Sequence, residues 1–298
     1  MKNNLEKAYY FMLTLLSILV FVIFIFALVS KQTYLSEKFW IKASDDTHLY
    51  QAITNDTNTT IQDLGRGSGI QEDGLKDVFT QSEVKQDVIS FMTQSFTGQP
   101  FDIDETKIKK QILNHVETYA TDNNQPITDK NRDSITSFVN TAFSQYDRLI
   151  KNPIFSISGS RIRLIAPLMT KLIIGLGIIW VVLSVLLFIP LRKFPHIFKR
   201  WASYQFISSG LILGVISSYG LIKNPAAHLS LTKPYLLETF SYIYSRPLIY
   251  ILIISALIFL IGIVLAVVSN TQRKQLIRKK NKALEDHHFK EASTSFIK

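Results

Sequence analysis

Apolar residues in this chain gather in four blocks, separated by one long polar stretch and two short ones. The first block, Tyr10 to Val29, is 20 residues without a charge. At about 1.5 Å per residue it would reach roughly 30 Å, the thickness of a bilayer's hydrocarbon core. The second runs from Leu172 to Ile189, with Lys171 at its edge able to stretch toward headgroups, and Pro190 stops it. The third, Phe206 to Ile222, is the least hydrophobic and the richest in small residues. The fourth, Leu248 to Val268, is 21 residues led by Pro247, a residue suited to a first helical turn. All four predict transmembrane helices, because a helix satisfies its own backbone hydrogen bonds where no water is available. Lys2 and Lys7 flank the first block as in a signal peptide. The block exceeds the roughly 7–15 residues of a signal core, however, and Ala27-Leu28-Val29 is a poor cleavage site, so an uncleaved anchor is expected.

The long polar stretch carries helical rather than strand periodicity. From Asp46, the apolar positions Leu49, Ile53, Ile61 and Leu64 recur at helical spacing, and the glycines of the 65–69 run are expected to break the chain. A short turn containing Leu75 and Val78 follows. The next helix places Val84, Val88, Phe91, Met92 and Phe96 on one face and stops at Gly98, with Pro100 beyond. Asp104 is the expected N-cap of a helix with the stripe Ile108, Ile112, Val116 and Tyr119. Thr128 is expected to cap the last and most regular one, which carries Ile135, Phe138, Val139, Ala142, Tyr146 and Ile150. Amphipathic helices joined by short polar turns predict a small helical bundle, and about 130 residues suffice for an independent core.

The expected fold is therefore an all-α membrane protein, with four transmembrane helices and an extracytoplasmic helical-bundle domain inserted between helices 1 and 2. Its segments read as a cytoplasmic N-terminus at 1–9, span 1 at 10–30, the helical domain at 31–168, span 2 at 169–190 and a basic cytoplasmic loop at 191–204. Span 3 follows at 205–222, an extracytoplasmic loop at 223–247, span 4 at 248–269 and a basic cytoplasmic tail at 270–298.

The formal charge of +10 alters this picture only once it is mapped. Residues 31–168 hold 15 Lys/Arg against 18 Asp/Glu, a net of −3, whereas the remainder holds 18 against 5, a net of +13. Positive charge beside apolar blocks marks membrane topology, and nucleic acid is not an expected partner. The topology determinants are Arg192, Lys193, Lys199 and Arg200 between spans 2 and 3, and Arg273, Lys274, Arg278, Lys279 and Lys280 after span 4. The segment between spans 3 and 4 has only Lys223, Lys233 and Arg246, offset by Glu238. Both termini are accordingly expected in the cytoplasm, and residues 31–168 outside the cell membrane. Arg161 and Arg163 fall on the outer side, where a long translocated domain overrides the rule. There is no cysteine, which excludes disulfides and thiolate metal sites, and abundant Lys, Asn and Ile suggest a bacterial surface protein.

Candidate chemistry is sparse. The 65–69 glycines lack the Lys-Ser/Thr pair of a Walker loop and read as a connector. Asp102, Asp104 and Glu105 lack the remaining acids and the central glycine of a calcium loop and read as helix capping. The histidines form no HExxH pair, and His287-His288 reads as a solvated tail. No catalytic residue, cofactor or metal site is expected, and the protein is not expected to be an enzyme. The spans hold no Asp, Glu, His or Arg, the groups that ion-coupled transport places at mid-depth. They do hold small residues suited to close helix packing: Gly210, Gly214 and Ser218 in span 3, and Gly262 and Ala266 in span 4.

These readings point to an integral cell-envelope protein: a non-enzymatic, partner-binding or accessory component acting through its outer domain, with the lipid bilayer and a membrane or envelope protein as partners. Four spans, cytoplasmic termini and one large domain between spans 1 and 2 also resemble the layout of FtsX/MacB-type transmembrane proteins. That resemblance implies a permease-like or mechanotransmission subunit, although the 191–204 loop is short for their ATPase-coupling segment. A membrane sensor is the remaining alternative.

Overall fold

The computed structural model describes residues 2–68, 70–124, 127–192, 194–231 and 233–295. Among the described residues the regular structure is helical and no strand occurs. In chain order the α-helices are α1 (Lys2–Gln32), α2 (Glu37–Asp46), α3 (Leu49–Gly67), α4 (Gln81–Thr97), α5 (Glu105–Asp122), α6 (Asp129–Ile150), α7 (Pro153–Leu191), α8 (Pro195–Lys223) and α9 (Pro234–Ser295). Single 3-10 turns lie at Glu72–Leu75 and Pro225–His228. The chain divides into two compact units, one formed by Met1–Ser30, Met169–Lys223 and Ser245–Lys298, the other by Lys31–Leu168 and Asn224–Tyr244.

The first unit is apolar. Helices α1, α7, α8 and α9 are each long and apolar enough to cross a membrane, with mean hydropathies of 3.1, 3.0, 1.5 and 3.3 over their most apolar stretches. Its core centres on α1, whose Ile18, Phe21, Val22 and Val29 pack with Leu213 of α8 and with Ile251 and Ile258 of α9. Phe21 meets Trp180 of α7 at 4.9 Å and Phe206 of α8 edge-on at 5.8 Å between ring centroids. Leu172, Ile174, Ile178, Val182 and Ile189 of α7 remain exposed. So large an uncovered apolar surface suits lipid and not water.

The second unit is a bundle built on the amphipathic stripes. Val84, Val88, Phe91, Met92 and Phe96 of α4 are buried, as are Ile108, Ile112 and Val116 of α5 and Phe138, Val139, Ala142, Tyr146 and Ile150 of α6. Helix starts follow local chemistry. The Thr80 and Glu83 side chains form a reciprocal capping box on α4, and Asp104 Oδ1 accepts from the Lys107 N–H at 3.0 Å. At the head of α6, Asn131 Oδ1 accepts from the Thr128 N–H at 2.7 Å. Helix α4 stops at Gly98, whose φ of +79° is the left-handed value that glycine adopts without a side-chain penalty.

Several local expectations change. The helix expected from Asp46 starts slightly later, at Leu49: a separate helix, α2, ends at Asp46, and His48 turns the chain with a φ of 52° before α3 begins. The glycine run does not open at Gly65. Helix α3 continues to Gly67, and Gly65 is buried within it, where a Cβ would come within 2.1 Å of the Leu75 side chain. Gly69 lies outside the described residues. Residues 195–204, read as loop, are the first turns of α8. Pro247 does not lead the last helix but sits inside α9, where it offers no N–H to the carbonyl one turn earlier.

Candidate functional site

Residues 224–244, read from sequence as a loop, form part of the second unit's core. The α9 residues Leu236, Phe240 and Ile243 recur at intervals of four and three, so they fall on one helical face. Leu236 and Ile243 are buried in the bundle core, and Phe240 packs against it. Trp40 of α2 lies edge-on to Phe240 at 5.8 Å and to Phe96 of α4 at 5.8 Å, while its indole N–H donates to the Tyr34 carbonyl at 3.0 Å. The helical spacing of Leu236, Phe240 and Ile243 was the available signal. It was hidden because the lower hydropathy of 234–247 beside the fourth apolar block resembles a loop.

Polar bonds pin the same segment. Lys233 Nζ reaches Asp56 Oδ1 at 2.7 Å, and the Tyr235 hydroxyl donates to Asp56 Oδ2 at 3.0 Å. Further along, the Tyr242 hydroxyl donates to the Asp46 carboxylate, and the Tyr34 hydroxyl donates to the Tyr244 carbonyl at 2.9 Å. Burial, and then the neighbouring Tyr244, push the Tyr34 hydroxyl up to about 12, so it stays a donor across physiological pH. Asn58 plays a similar part on the other side of α3. Its amide donates to the Phe79 carbonyl and accepts from the Phe79 N–H, both at 3.0 Å, which fixes the connection before α4 against the helix.

A cavity of about 560 Å³ opens where the end of α6, the start of α7 and residues 230–236 meet. Arg148, Lys151 and Lys233 line it, with Asn152, Gln145 and Thr60 as neutral polar neighbours. Leu149, Ile154, Leu231, Tyr235 and Leu236 supply its apolar wall. Two of the cations are held from behind: Lys233 by Asp56, and Lys151 by Asp147 at 2.7 Å and Asp102 at 3.6 Å. Arg148 is exposed and makes no ion pair among the described residues. No sequence motif marked this site, since its residues come from positions 60 to 236 and meet only by folding.

Gly210, Gly214 and Gly262 of the apolar unit lie at one interface, between α8 and α9. A Cβ on Gly210 would stand 2.9 Å from the Ser255 carbonyl oxygen and from the Phe259 nitrogen, and one on Gly214 would stand 3.3 Å from Ser255 Oγ. A Cβ on Gly262 would stand 2.7 Å from the Ile207 nitrogen. Helices α8 and α9 thus approach backbone to backbone at both heights. Ser218 and Ala266 are half-buried. The Ser269 hydroxyl donates to the His196 carbonyl at 2.6 Å, a further tie between the same two helices. Sequence reasoning passed over Ser17, Gln205 and Ser209, which are buried here with side-chain atoms that have no hydrogen-bond partner among the described residues.

Of the basic residues singled out for topology, Arg192, Lys199, Arg200, Arg273, Lys274, Arg278 and Lys279 fall within the described parts of α8, α9 and the turn before α8. Lys193 lies outside the described residues, as do the side chains of Lys280, His287 and His288. Arg200 Nε donates to the Tyr204 hydroxyl at 2.7 Å.

Compared with protein families, with characterised proteins and with solved structures, the chain matches none.

Proposed function

We propose that this protein is a four-span integral membrane protein whose helical unit lies outside the cytoplasm and serves as a non-enzymatic, partner-binding component of a membrane complex. The observation that supports a shared face for these segments is the grouping of residues 31–168 with 224–244 in one compact unit. If α1, α7, α8 and α9 all cross, these two segments emerge on the same face by parity, and only then can they fold together. The distribution of Lys and Arg supports an outward placement for that face, because basic residues crowd the opposite connections. The buried and half-buried polar side chains of the unit support a structural rather than catalytic reading. Asp56, Asn58 and Thr239 each close a bond between distant segments.

The absence of cysteine makes the test clean. Single substitutions Ser134→Cys and Gln275→Cys place thiols at exposed positions in the two units. A membrane-impermeant maleimide applied to intact cells is expected to label the first and spare the second. The reverse pattern would overturn the orientation. Affinity capture after mild solubilisation tests the partner role, with a stoichiometric envelope protein as the expected result and the bare chain as the contrary one.

A further inference from the structure

We propose that the cavity between the end of α6, the start of α7 and residues 230–236 binds a small amphiphilic anion, a carboxylate or phosphate monoester carried on an apolar body. Three observations converge on that class. The volume, about 560 Å³, falls within the roughly 300–1,000 Å³ of small-molecule pockets and is too small for a folded partner. Cations line it and carboxylates do not, in a segment whose net charge is −3 over residues 31–168. Its remaining wall is apolar, so an ion without an apolar body would leave Leu149, Ile154 and Leu231 facing water.

The roles divide among the cations. Asp56 and Asp147 fix the ammonium groups of Lys233 and Lys151. These two therefore act as positioned charges already held in place. Arg148 keeps its planar fork of donors available, the geometry that binds a carboxylate or phosphate through two parallel hydrogen bonds. A basic residue in the last turn of α6 also favours the helix dipole, and that contribution requires no ligand. The two readings part on binding. Because residues 230–236 and α6 both wall the cavity, an occupant bridges the two chain segments of the unit and stabilises it by mass action.

The test uses the full chain in nanodiscs of zwitterionic phosphatidylcholine, titrated calorimetrically with benzoate and phenyl phosphate, and with phenol and inorganic phosphate as half-ligands. At least one aromatic anion is expected to bind with Kd below about 1 mM and at least tenfold more tightly than either half-ligand. Arg148→Gln is expected to weaken it at least tenfold with the circular dichroism spectrum unchanged, since the side chain is exposed. The proposal is overturned if neither aromatic anion binds, if phenol or inorganic phosphate binds equally well, or if folded Arg148→Gln binds like the parent. None of these outcomes bears on maleimide sidedness or partner capture, so this inference and the proposed function fail separately.

Discussion

Thr47 and Thr239 stand 192 positions apart in the chain, yet their hydroxyl oxygens lie 2.9 Å from one another and both residues are buried. Thr47 Oγ1 is also 2.8 Å from the Ala43 carbonyl and Thr239 Oγ1 is 2.9 Å from the Tyr235 carbonyl. Two hydroxyl protons serve three contacts, so one of the three is unmade at any instant. The pair marks where the segment before the fourth apolar block enters the bundle.

That entry is mainly apolar, and mutations should rank accordingly. Leu236→Ala removes a core side chain and is expected to cost about 2–5 kcal/mol. Thr239→Val keeps the shape and leaves Thr47 free to donate to Ala43, so it is expected to cost only about 1 kcal/mol. Thermal unfolding of the purified variants checks the order. A larger loss for Thr239→Val would mean that the polar contact, not the apolar face, holds the segment.

Asn58 completes both main-chain groups of Phe79, itself buried. Asn58→Ala strands a donor and an acceptor away from water and is expected to cost about 1–3 kcal/mol for each group left unsatisfied. Asn58→Asp turns a carboxylate oxygen toward the Phe79 carbonyl and buries a charge, so near neutral pH its unfolding midpoint should fall at least as far as that of alanine.

The glycines of the apolar unit offer an internal control. Gly262→Leu forces a side chain into the Ile207 backbone and is expected to destabilise by about 1–3 kcal/mol or to separate α8 from α9. A Cβ at Gly175 would meet nothing within 4 Å, so Gly175→Ala is expected to be neutral or mildly stabilising. Equal midpoints for the two variants in detergent would show that α8 and α9 do not depend on that approach.

Glu83 sets an acid limit. Burial by itself raises its carboxyl, but hydrogen bonds from the Thr80 main chain and hydroxyl and from Gln111, together with the Lys107 charge, lower it below 4.5 overall. A carboxylate depressed in the folded state contributes stability that is present above its unfolded value and lost as pH falls through the folded one. The gap in melting temperature between wild type and Glu83→Gln should therefore be widest near neutral pH and close below 4.5. A gap that persists unchanged into strong acid would assign the effect to shape instead of charge.

Much of the helical layout is legible locally. Thr80, Asp104 and Thr128 start helices because a side chain can satisfy an end N–H within three residues. The α4 stripe was likewise readable from spacing alone. His48, Gly65 and Pro247 were not. His48 adopts a left-handed φ that a non-glycine residue rarely takes, Gly65 lies within α3 where the Leu75 side chain leaves no room for a Cβ, and Pro247 is carried inside α9. The cavity around Arg148 was invisible for a similar reason, since its walls are separated by up to 176 positions.

By itself the sequence determined the elements whose physics is local: four apolar helices, whose preference for lipid is set by about twenty successive side chains, and amphipathic helices, whose buried face is set by period. Only the tertiary structure decided that residues 224–244 complete the bundle, that Asp56 answers Lys233 and Tyr235, and that α8 and α9 meet at their glycines. Those outcomes depend on which surfaces fit one another across long stretches of chain, and complementarity of that kind leaves no period in a sequence.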